Sequence, residues 1–340
     1  MKINRVDSLD FPSLENKLSF IGLDSWSNFV NDIYNYKIHR YTISEDARPL
    51  GALALLEIDH PLFGHYLATA PFGSYGGFAF ETTAARDLLL DEARRLGEEI
   101  KAEYISIRFA EGDSPPPDHW SQNPTYFTYL IGLPTDPDEL LKTFSSDHRN
   151  HIRKSLKKGF EIHFGHLELL DDIYEALAKS MHELGSPYHS KTYLRKMAEH
   201  LGNTLEFAVL YNAEGKLAGG GVFIYQGDTV FNLHANILQH ARSAYAGEFL
   251  YWSVIERAIQ KGLKTFDLGR SLAGSGNEVF KMKWSPRKQL LAYWHWLAPG
   301  RELPSLNQKN PKFQLAIAIW KRLPPFIVRP LGPHLVRGLA

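Results

Sequence analysis

The chain has 340 residues, 44% apolar and 22% charged, which fits about two globular domains and excludes a disordered chain. Lys+Arg and Asp+Glu both number 38, so no global field draws it to nucleic acid or anionic lipid, and any polyanion site is local. Cysteine is absent, which excludes a disulfide framework, a Cys-ligated metal and a thiol nucleophile, and fits a reducing compartment.

The first residues, MKINRVDSLDFPSLENK, contain no uninterrupted apolar run, so no signal peptide is expected. No stretch of about 18 apolar residues occurs, so no membrane span is expected either. Residues 1–35 carry structure that the pattern does not place. Residues 41–58 read as a hairpin, HRYTI and LGALALLEI around a turn at Glu45-Asp46-Ala47-Arg48-Pro49. Extended runs follow at 66–70 and 78–80. Between them lies Pro71-Phe72-Gly73-Ser74-Tyr75-Gly76-Gly77, a turn whose aromatic pair either packs or walls a ligand groove. Residues 83–102 have helical periodicity, with Leu89, Leu96 and Ile100 at i, i+7 and i+11. Ile105, Ile107 and Phe109 alternate as a strand, and residues 113–124 form an exposed, proline-rich loop.

Residues 134–160 resemble an interdomain region. In SSDHRNHIRKSLKKGF, Arg149, Arg153 and Lys157 share one helix face, and Gly159 is a stop. A basic face of this kind suits a solvated surface or a phosphate or nucleic-acid contact. Residues 169–184 are an amphipathic helix with Asp171 and Asp172 at its start and Gly185 at its end. A second helix follows ELGSPYHSKTYL. Residues 207–211, 217–225 and 229–235 read as three antiparallel strands. Gly219-Gly220-Gly221 in the middle one suggests a bulge or a backbone open to a ligand. Residues 245–260 form a helix, capped by Gly262.

The chain is organised around residues 264–284, KTFDLGRSLAGSGNEVFKMKW. A short strand carrying Asp267 ends at Gly269, and Arg270 and Ser271 follow beside a loop at Gly274-Ser275-Gly276. Phe280, Lys281 and Lys283 come just after. Spacing alone favours an ordinary strand-to-loop transition with surface lysines. The same arrangement can place a cation where negative charge develops on an acyl carbonyl. Residues 290–297 are a hydrophobic strand. Residues 311–323 are an amphipathic helix whose Lys312, Lys321 and Arg322, with Phe313, Ile317 and Trp320, suit either packing on the first domain or a membrane interface. The two halves echo each other in order: turn then strand, and helix then strand. That order supports duplication of one α/β unit. No G-x-G-x-x-G follows an early strand, which disfavours a doubly wound dinucleotide fold.

DLGRS, GSG and FKMKW together resemble the signature of the FemAB family, acyl- and aminoacyltransferases built from two GNAT-fold domains. The similarity is to the branch that accompanies bacterial exopolysaccharide and exosortase (PEP-CTERM) gene clusters. It extends to SYGG at 74–77, to RNHIRKSLKKG at 149–159 and to ELGSP at 183–187. The departures are Leu268 for an aromatic, Leu272-Ala273 for Thr-Pro and Ser285 for glycine. The resemblance implies a mixed α/β chain of two tandem GNAT-like domains, each a mostly antiparallel twisted sheet flanked by helices. The expected boundaries are 1–140, a basic interdomain helix at 141–160, a signature-bearing domain at 161–300, and a tail at 301–340 packing back on the first domain.

By the same resemblance Lys281, with Phe280 beside it, stabilises an oxyanion, and Asp267 acts as base or orients the amine. Arg270, Ser271, Gly274 and Gly276 bind substrate phosphate or carboxylate. Tyr75, Gly76 and Gly77 line the acceptor groove, and Arg149 and Arg153 border it. No tightly bound cofactor is expected. The donor is acyl-CoA or aminoacyl-tRNA, and the acceptor a nucleotide-linked or lipid-linked glycan or peptide precursor, so charged tRNA is a candidate partner and DNA is not. A cytoplasmic protein in peripheral contact with the inner face of the membrane fits that chemistry. Acyl-CoA enzymes bind pyrophosphate with [QR]-x-x-G-x-[GA] before a helix. Here Arg242-Ser243-Ala244-Tyr245-Ala246 stands instead, and Glu248 replaces a common Asn. A non-catalytic member that binds a glycan precursor or an assembly partner is the alternative. No H-E-x-x-H, G-x-S-x-G or Walker A motif occurs, and His148 and His151 lack acidic company on their own helix face, so no metal site is expected.

Overall fold

The computed structural model describes residues 1–9, 13–46, 48–110, 115–123, 126–303 and 311–339. Ala47 of the expected first turn and residues 113, 114 and 124 of the expected loop lie outside these, as do the side chains of Lys312 and Phe313. The chain divides into two compact units. One comprises Met1–Thr128, Gln289–Ser305 and Arg337–Ala340, and the other Tyr129–Lys288 and Leu306–Val336.

The first unit opens with β1 (Lys2–Arg5), α1 (Glu15–Gly22) and α2 (Asp24–Tyr34), the region that periodicity did not place. Then come β2 (Lys37–Glu45), β3 (Arg48–His60), β4 (Gly64–Ala68), β5 (Phe78–Phe80), α3 (Thr83–Glu99), β6 (Tyr104–Phe109) and β7 (Ser121–Gln122). The expected hairpin is β2 with β3, closed at Glu45↔Arg48. α3 starts where the Thr82 hydroxyl accepts the Ala85 N–H, a side-chain N-cap. Its apolar stripe of Leu89, Leu90, Ala93 and Leu96 meets Leu53, Leu67, Ile105 and Ile107 of the sheet in one buried cluster. Burying a leucine of this kind contributes about 1.5–3 kcal/mol, which is why the stripe rather than helix propensity fixes α3 on the sheet.

β8 (Tyr126–Gly132) leads into the second unit, which begins at Tyr129 and contains α4 (Pro137–Thr143), α5 (Ser146–Leu156), β9 (Glu161–Gly165), α6 (Leu170–Leu184), α7 (Lys191–Leu201), β10 (Leu205–Tyr211), β11 (Leu217–Gln226) and β12 (Thr229–Ile237). It continues with α8 (Gln239–Arg242), α9 (Ala246–Gln260), β13 (Thr265–Asp267), β14 (Ser271–Leu272), α10 (Gly276–Met282) and β15 (Arg287–Leu290). The chain ends with β16 (Ala292–Leu297), α11 (Pro311–Arg322) and α12 (Pro325–Val336).

The first sheet runs β1-β2-β3-β4-β6-β16-β7, with β5 also on β3. The second runs β14-β8-β13-β12-β11-β10-β9, with β15 also on β8. β4 and β6 are parallel and bridged by α3. β12 and β13 are parallel and bridged by α9. The other ladders of described register are antiparallel. The duplicated unit expected from the sequence is therefore one helix crossover set in an otherwise antiparallel sheet.

The units do not follow the expected boundaries of 140, 160 and 300. β16 belongs to the first unit, where Ala292–Leu297 pairs antiparallel with Phe109 back to Tyr104. β8 was not anticipated, and its Leu130–Gly132 pairs with β13 in the second unit. Each parallel pair needs a neighbour on the far side of its second strand, and each sheet takes that neighbour from across the expected boundary. α11 is likewise in the second unit, against α6 rather than on the first domain. The Trp320 indole N–H donates to the Ser186 carbonyl at 3.1 Å. A Cβ on Gly185 would meet Ile317 at 2.6 Å, so the bare end of α6 makes the seat. Only the last residues join the first unit, where the Tyr66 hydroxyl donates to the Gly338 carbonyl at 3.1 Å.

The glycine run in β11 is not an open backbone. Gly219, Gly220 and Gly221 are buried and paired on both sides. A bulge does lie at the edge of the run, where Leu210 faces Gly219 and Tyr211 faces Leu217, leaving Ala218 extra. A Cβ on Gly220 would stand 2.7 Å from Ile173 and 2.6 Å from the Ala208 carbonyl, so α6 and the neighbouring strand demand glycine there. A second bulge lies farther along, where Val222 faces His234 and Phe223 faces Asn232, leaving Leu233 extra in β12.

Candidate active site

The second bulge coincides with the point where two parallel strands part. The ladder between β12 and β13 ends at Phe231↔Asp267, and beyond it β12 continues past Leu233 without a partner from β13. The bulge also turns neighbouring side chains to different companions. Asn232 donates to the Tyr251 hydroxyl of α9 at 2.7 Å, whereas His234 stands 5.7 Å from the ring of Tyr188.

β13 ends at Asp267, which is 1% exposed. Its Oδ1 accepts the Gly269 N–H at 2.8 Å, turning the chain sharply, and Gly269 takes φ of 74°, which a side chain would resist. Below this turn lies Lys281, 7% exposed. Its Nζ donates to the carbonyls of Gly269 at 2.7 Å and Arg270 at 2.8 Å. The ammonium also sits 5.5 Å from the centre of the Tyr129 ring. Burial pushes the Lys281 amine down to about 7, with nearby Asp267 opposing and Arg270 adding. Lys281 is thus a buried amine at the strand ends, cationic below about pH 7.

α10 delivers Lys281 and is fixed by a capping box. Ser275 accepts the Glu278 N–H at 3.2 Å, and the Glu278 carboxylate reaches back to the Gly274 N–H. Glu278 also accepts from Lys288 at 2.6 Å and from the Tyr129 hydroxyl at 2.7 Å. Lys288, the Gly274 N–H and Tyr129 hold its carboxyl down at about 2. Gly274 serves the box by its backbone, whereas a side chain at Gly276 would meet open space.

The candidate residues gather unevenly. Asp267, Arg270, Ser271, Gly274, Gly276, Phe280 and Lys281 all lie on β13, β14, α10 and their connections. The Ser271 hydroxyl is buried and has no hydrogen-bond partner among the described residues, so a ligand could satisfy it. Arg270 is exposed. Phe280 turns to α9, with its ring 5.2 Å from Tyr251, and so supports α10 rather than touching the amine. Arg149 donates to the Phe144 carbonyl at 2.8 Å, closing the end of α4, while Arg153 is exposed. Tyr75, Gly76 and Gly77 belong to the first unit. There Gly77 donates to the Leu18 carbonyl, and a Cβ on it would stand 2.6 Å from the Thr69 carbonyl, which is a packing reason for that glycine.

Periodicity missed Tyr129 and Glu278. β8 could have been found from its short, nearly continuous run of aromatic and apolar residues, and Ser275-x-x-Glu278 is a capping-box pattern legible in the sequence. It also missed the company of the histidines, for Asp147, one turn earlier on α5, stands 3.4 Å from His151. Glu248 of α9 brings a carboxylate to His148 and His151, and one ligand atom from each lies within 4.8 Å of the others. Both ring nitrogens of His148 are buried without a hydrogen-bond partner among the described residues. Burial, then Lys283 and His151, push this imidazole down to about 4, so it is neutral. The donor set would suit a divalent cation. Lys283, 3.6 Å from Glu248, already supplies a positive charge there. Incubation with a chelator should therefore leave Tm unchanged, and a clear fall would put an ion among these three residues instead.

At the head of α9 Tyr245 adopts φ of 64° and stacks on His151, with ring centres 4.5 Å apart. Buried Glu248 occupies the first helical turn. An aromatic ring and a carboxylate therefore stand where a helix N-terminus would otherwise be open to an anion.

Residues 146–282 match the family model described as an acetyltransferase (GNAT) domain. No curated protein matches. Among solved structures, FemX aligns with TM-score 0.65 over 88% of this chain and 98% of its own, at 14% identity. L-PGS from Bacillus licheniformis aligns with TM-score 0.55 over 94% and 100%, at 14% identity. A tandem GNAT protein from the clavulanic acid biosynthesis pathway aligns with TM-score 0.55 over 88% and 99%, at 12% identity. At these identities the likeness is one of fold. The chain is a mixed α/β protein of two tandem GNAT-like units.

Proposed function

We propose that this tandem GNAT-fold chain is an acyltransferase that moves an acyl or aminoacyl group onto an amine of a cell-envelope precursor, of peptidoglycan or exopolysaccharide type. The observation that carries this is the buried Lys281 ammonium beneath the turn where β12 and β13 part. The acetyltransferase domain match over 146–282 supports it, as do the neighbours FemX and L-PGS. The FemAB-type signature supports the choice of acceptor. By the same reading the protein works at the cytoplasmic face of the membrane. Among the described residues no helix is long and apolar enough to cross one.

In this reaction the acceptor amine attacks the acyl carbonyl carbon, forming the C–N bond. The carbonyl oxygen becomes an oxyanion. An ammonium has three N–H groups, and two of those on Lys281 serve the carbonyls of Gly269 and Arg270. The third is the donor for the oxyanion. Asp267 takes the proton the amine loses. The bond from the acyl carbon to the donor's oxygen or sulfur then breaks, and that atom leaves and is protonated. Arg270 and Ser271 hold substrate phosphate or carboxylate.

For the donor we favour an aminoacyl ester such as charged tRNA over acyl-CoA. Glu248 and Tyr245 at the head of α9 oppose a pyrophosphate there by charge and by bulk. Thermal unfolding with acetyl-CoA and, separately, with a charged-tRNA mixture tests this. A ligand at about 100 times its Kd stabilises by about 2.7 kcal/mol. A rise in Tm with charged tRNA alone is expected. A rise with acetyl-CoA alone would reverse the choice of donor. A second reading, binding without catalysis, has one observation in its favour: the two carbonyl contacts give Lys281 a structural task.

A further inference from the structure

We propose that the two consecutive helices α11 and α12 dock the protein on the surface of an anionic phospholipid bilayer. Part of each helix is spoken for. Ile317 and Trp320 hold α11 to the end of α6. On α12, Val328 is buried, and a Cβ on Gly332 would stand 2.7 Å from the Tyr188 carbonyl, so this helix is pressed on the same unit. Other large apolar side chains of both helices are left exposed. Leu315 and Ile319, one turn apart on α11, are exposed, as are Phe326 and Leu331 on α12. Phe326, at 77%, is the most exposed large apolar side chain among the described residues. It stands just past the Pro324-Pro325 corner, four residues from Arg322.

The charge pattern names the occupant. The whole chain balances at 38 against 38. Residues 303–340 hold Lys309, Lys312, Lys321, Arg322, Arg329 and Arg337 and no Asp or Glu. Lys321 and Arg322 are exposed at the end of α11, beside the apolar row. Arg329 pairs with Glu175 and is not counted toward the surface. An apolar row flanked by lysine and arginine, with acids excluded from the whole segment, complements a lipid surface of negative charge. A second protein would more often meet a rim of mixed sign. Each helix has 12 residues, about 18 Å at 1.5 Å per residue, too short for a hydrocarbon core of about 30 Å. The two helices therefore lie in the interface with their exposed apolar side chains dipped into it. The inference does not depend on the proposed acyl transfer, though a surface-bound enzyme would suit a lipid-linked acceptor.

Sedimentation of the full chain with vesicles tests it. The protein should pellet with phosphatidylglycerol vesicles and bind phosphatidylcholine vesicles at least about tenfold more weakly, with affinity falling as salt rises. The double variant Ile319→Ser/Phe326→Ser should lose about tenfold or more, and so should Lys321→Glu/Arg322→Glu, both at unchanged Tm. Leu62→Ser, which removes an exposed leucine in the first unit, should bind as the parent does. Failure of the parent to pellet with phosphatidylglycerol vesicles overturns the proposal. So does equal binding by folded double variants. A concentration-dependent dimer that both double variants abolish, without vesicle binding, would assign the face to a second copy instead.

Discussion

Lys281→Ala should lower turnover by about 10²–10³-fold, the cost typical of losing one oxyanion donor. The amine is buried at the strand ends, where low dielectric strengthens each hydrogen bond it makes. It is also poised. Burial holds it near 7, so the ammonium is lost as pH rises through about 7. A neutral amine keeps two N–H groups, and the carbonyls of Gly269 and Arg270 take both. The parent's rate should therefore fall above about pH 7, and that limb should vanish in the variant. Lys281→Met separates chemistry from folding, because it keeps most of the apolar stem and removes the donor. It should fold, lose a similar factor in turnover, and cost about 1–3 kcal/mol for the carbonyls left unpaired. A folded alanine or methionine variant with unchanged turnover would sink the oxyanion role and favour the binding reading.

Glu206→Gln should cost about 2 kcal/mol of stability at neutral pH and little near pH 2. Glu206, on β10, accepts from Arg257 Nε at 2.7 Å, from Lys261 at 3.2 Å and from the Tyr225 hydroxyl at 2.6 Å. Burial alone would raise its carboxyl, but Arg257, Tyr225 and Lys261 together hold it down at about 2. A fall from the usual 4.5 to about 2 is worth ~3 kcal/mol at about 1.4 kcal/mol per tenfold. We discount this to about 2 kcal/mol because the Arg257 and Lys261 side chains are 33% and 39% exposed and screened by solvent. The carboxylate form is the one stabilised. Its contribution is fully present above about pH 4.5 and is lost as pH falls through about 2. Denaturant unfolding of parent and variant across that window measures it, and a difference that stays constant with pH would refute the assignment. The cluster ties the end of α9 to the sheet, so the same variant should loosen the helix that holds Tyr251 against Phe280.

What the sequence legibly carried was local. α3, α6 and α9 follow from apolar stripes at helical spacing. The β2–β3 hairpin and the run from β10 to β12 follow from alternation between turn residues. The strand and turn around Asp267 and Gly269 were readable too, because a strand end, a glycine and a mixed-residue signature coincide in one stretch, but the helix that carries Lys281 was not. The tandem plan was legible as a repeated order of elements. The bulge signalled by the glycines lies at the edge of their run, at Ala218, while at Gly220 the close approach of Ile173 is the reason for glycine.

Tertiary structure alone decided who pairs with whom. A short apolar run marks β8 and β16 as strands. It cannot say which sheet receives the strand, because backbone N–H and C=O groups are the same at every residue. The domain boundaries failed for that reason, and α11 was misplaced because its seat is the absence of a side chain at Gly185. Distant charges are likewise invisible until the fold closes. Glu248 reaches His148 from about a hundred residues away, and Arg257 reaches Glu206 across 51 residues. The sequence by itself determined the longer amphipathic helices, the strands bounded by turn residues and the residues of the signature turn, since short-range sterics and periodicity suffice for those, whereas α1, α2, β8, α10 and α12 emerged only in the fold. Whether Lys281 is a surface lysine or a buried cation depended on long-range packing, and the fold sets it beneath the carbonyls of Gly269 and Arg270.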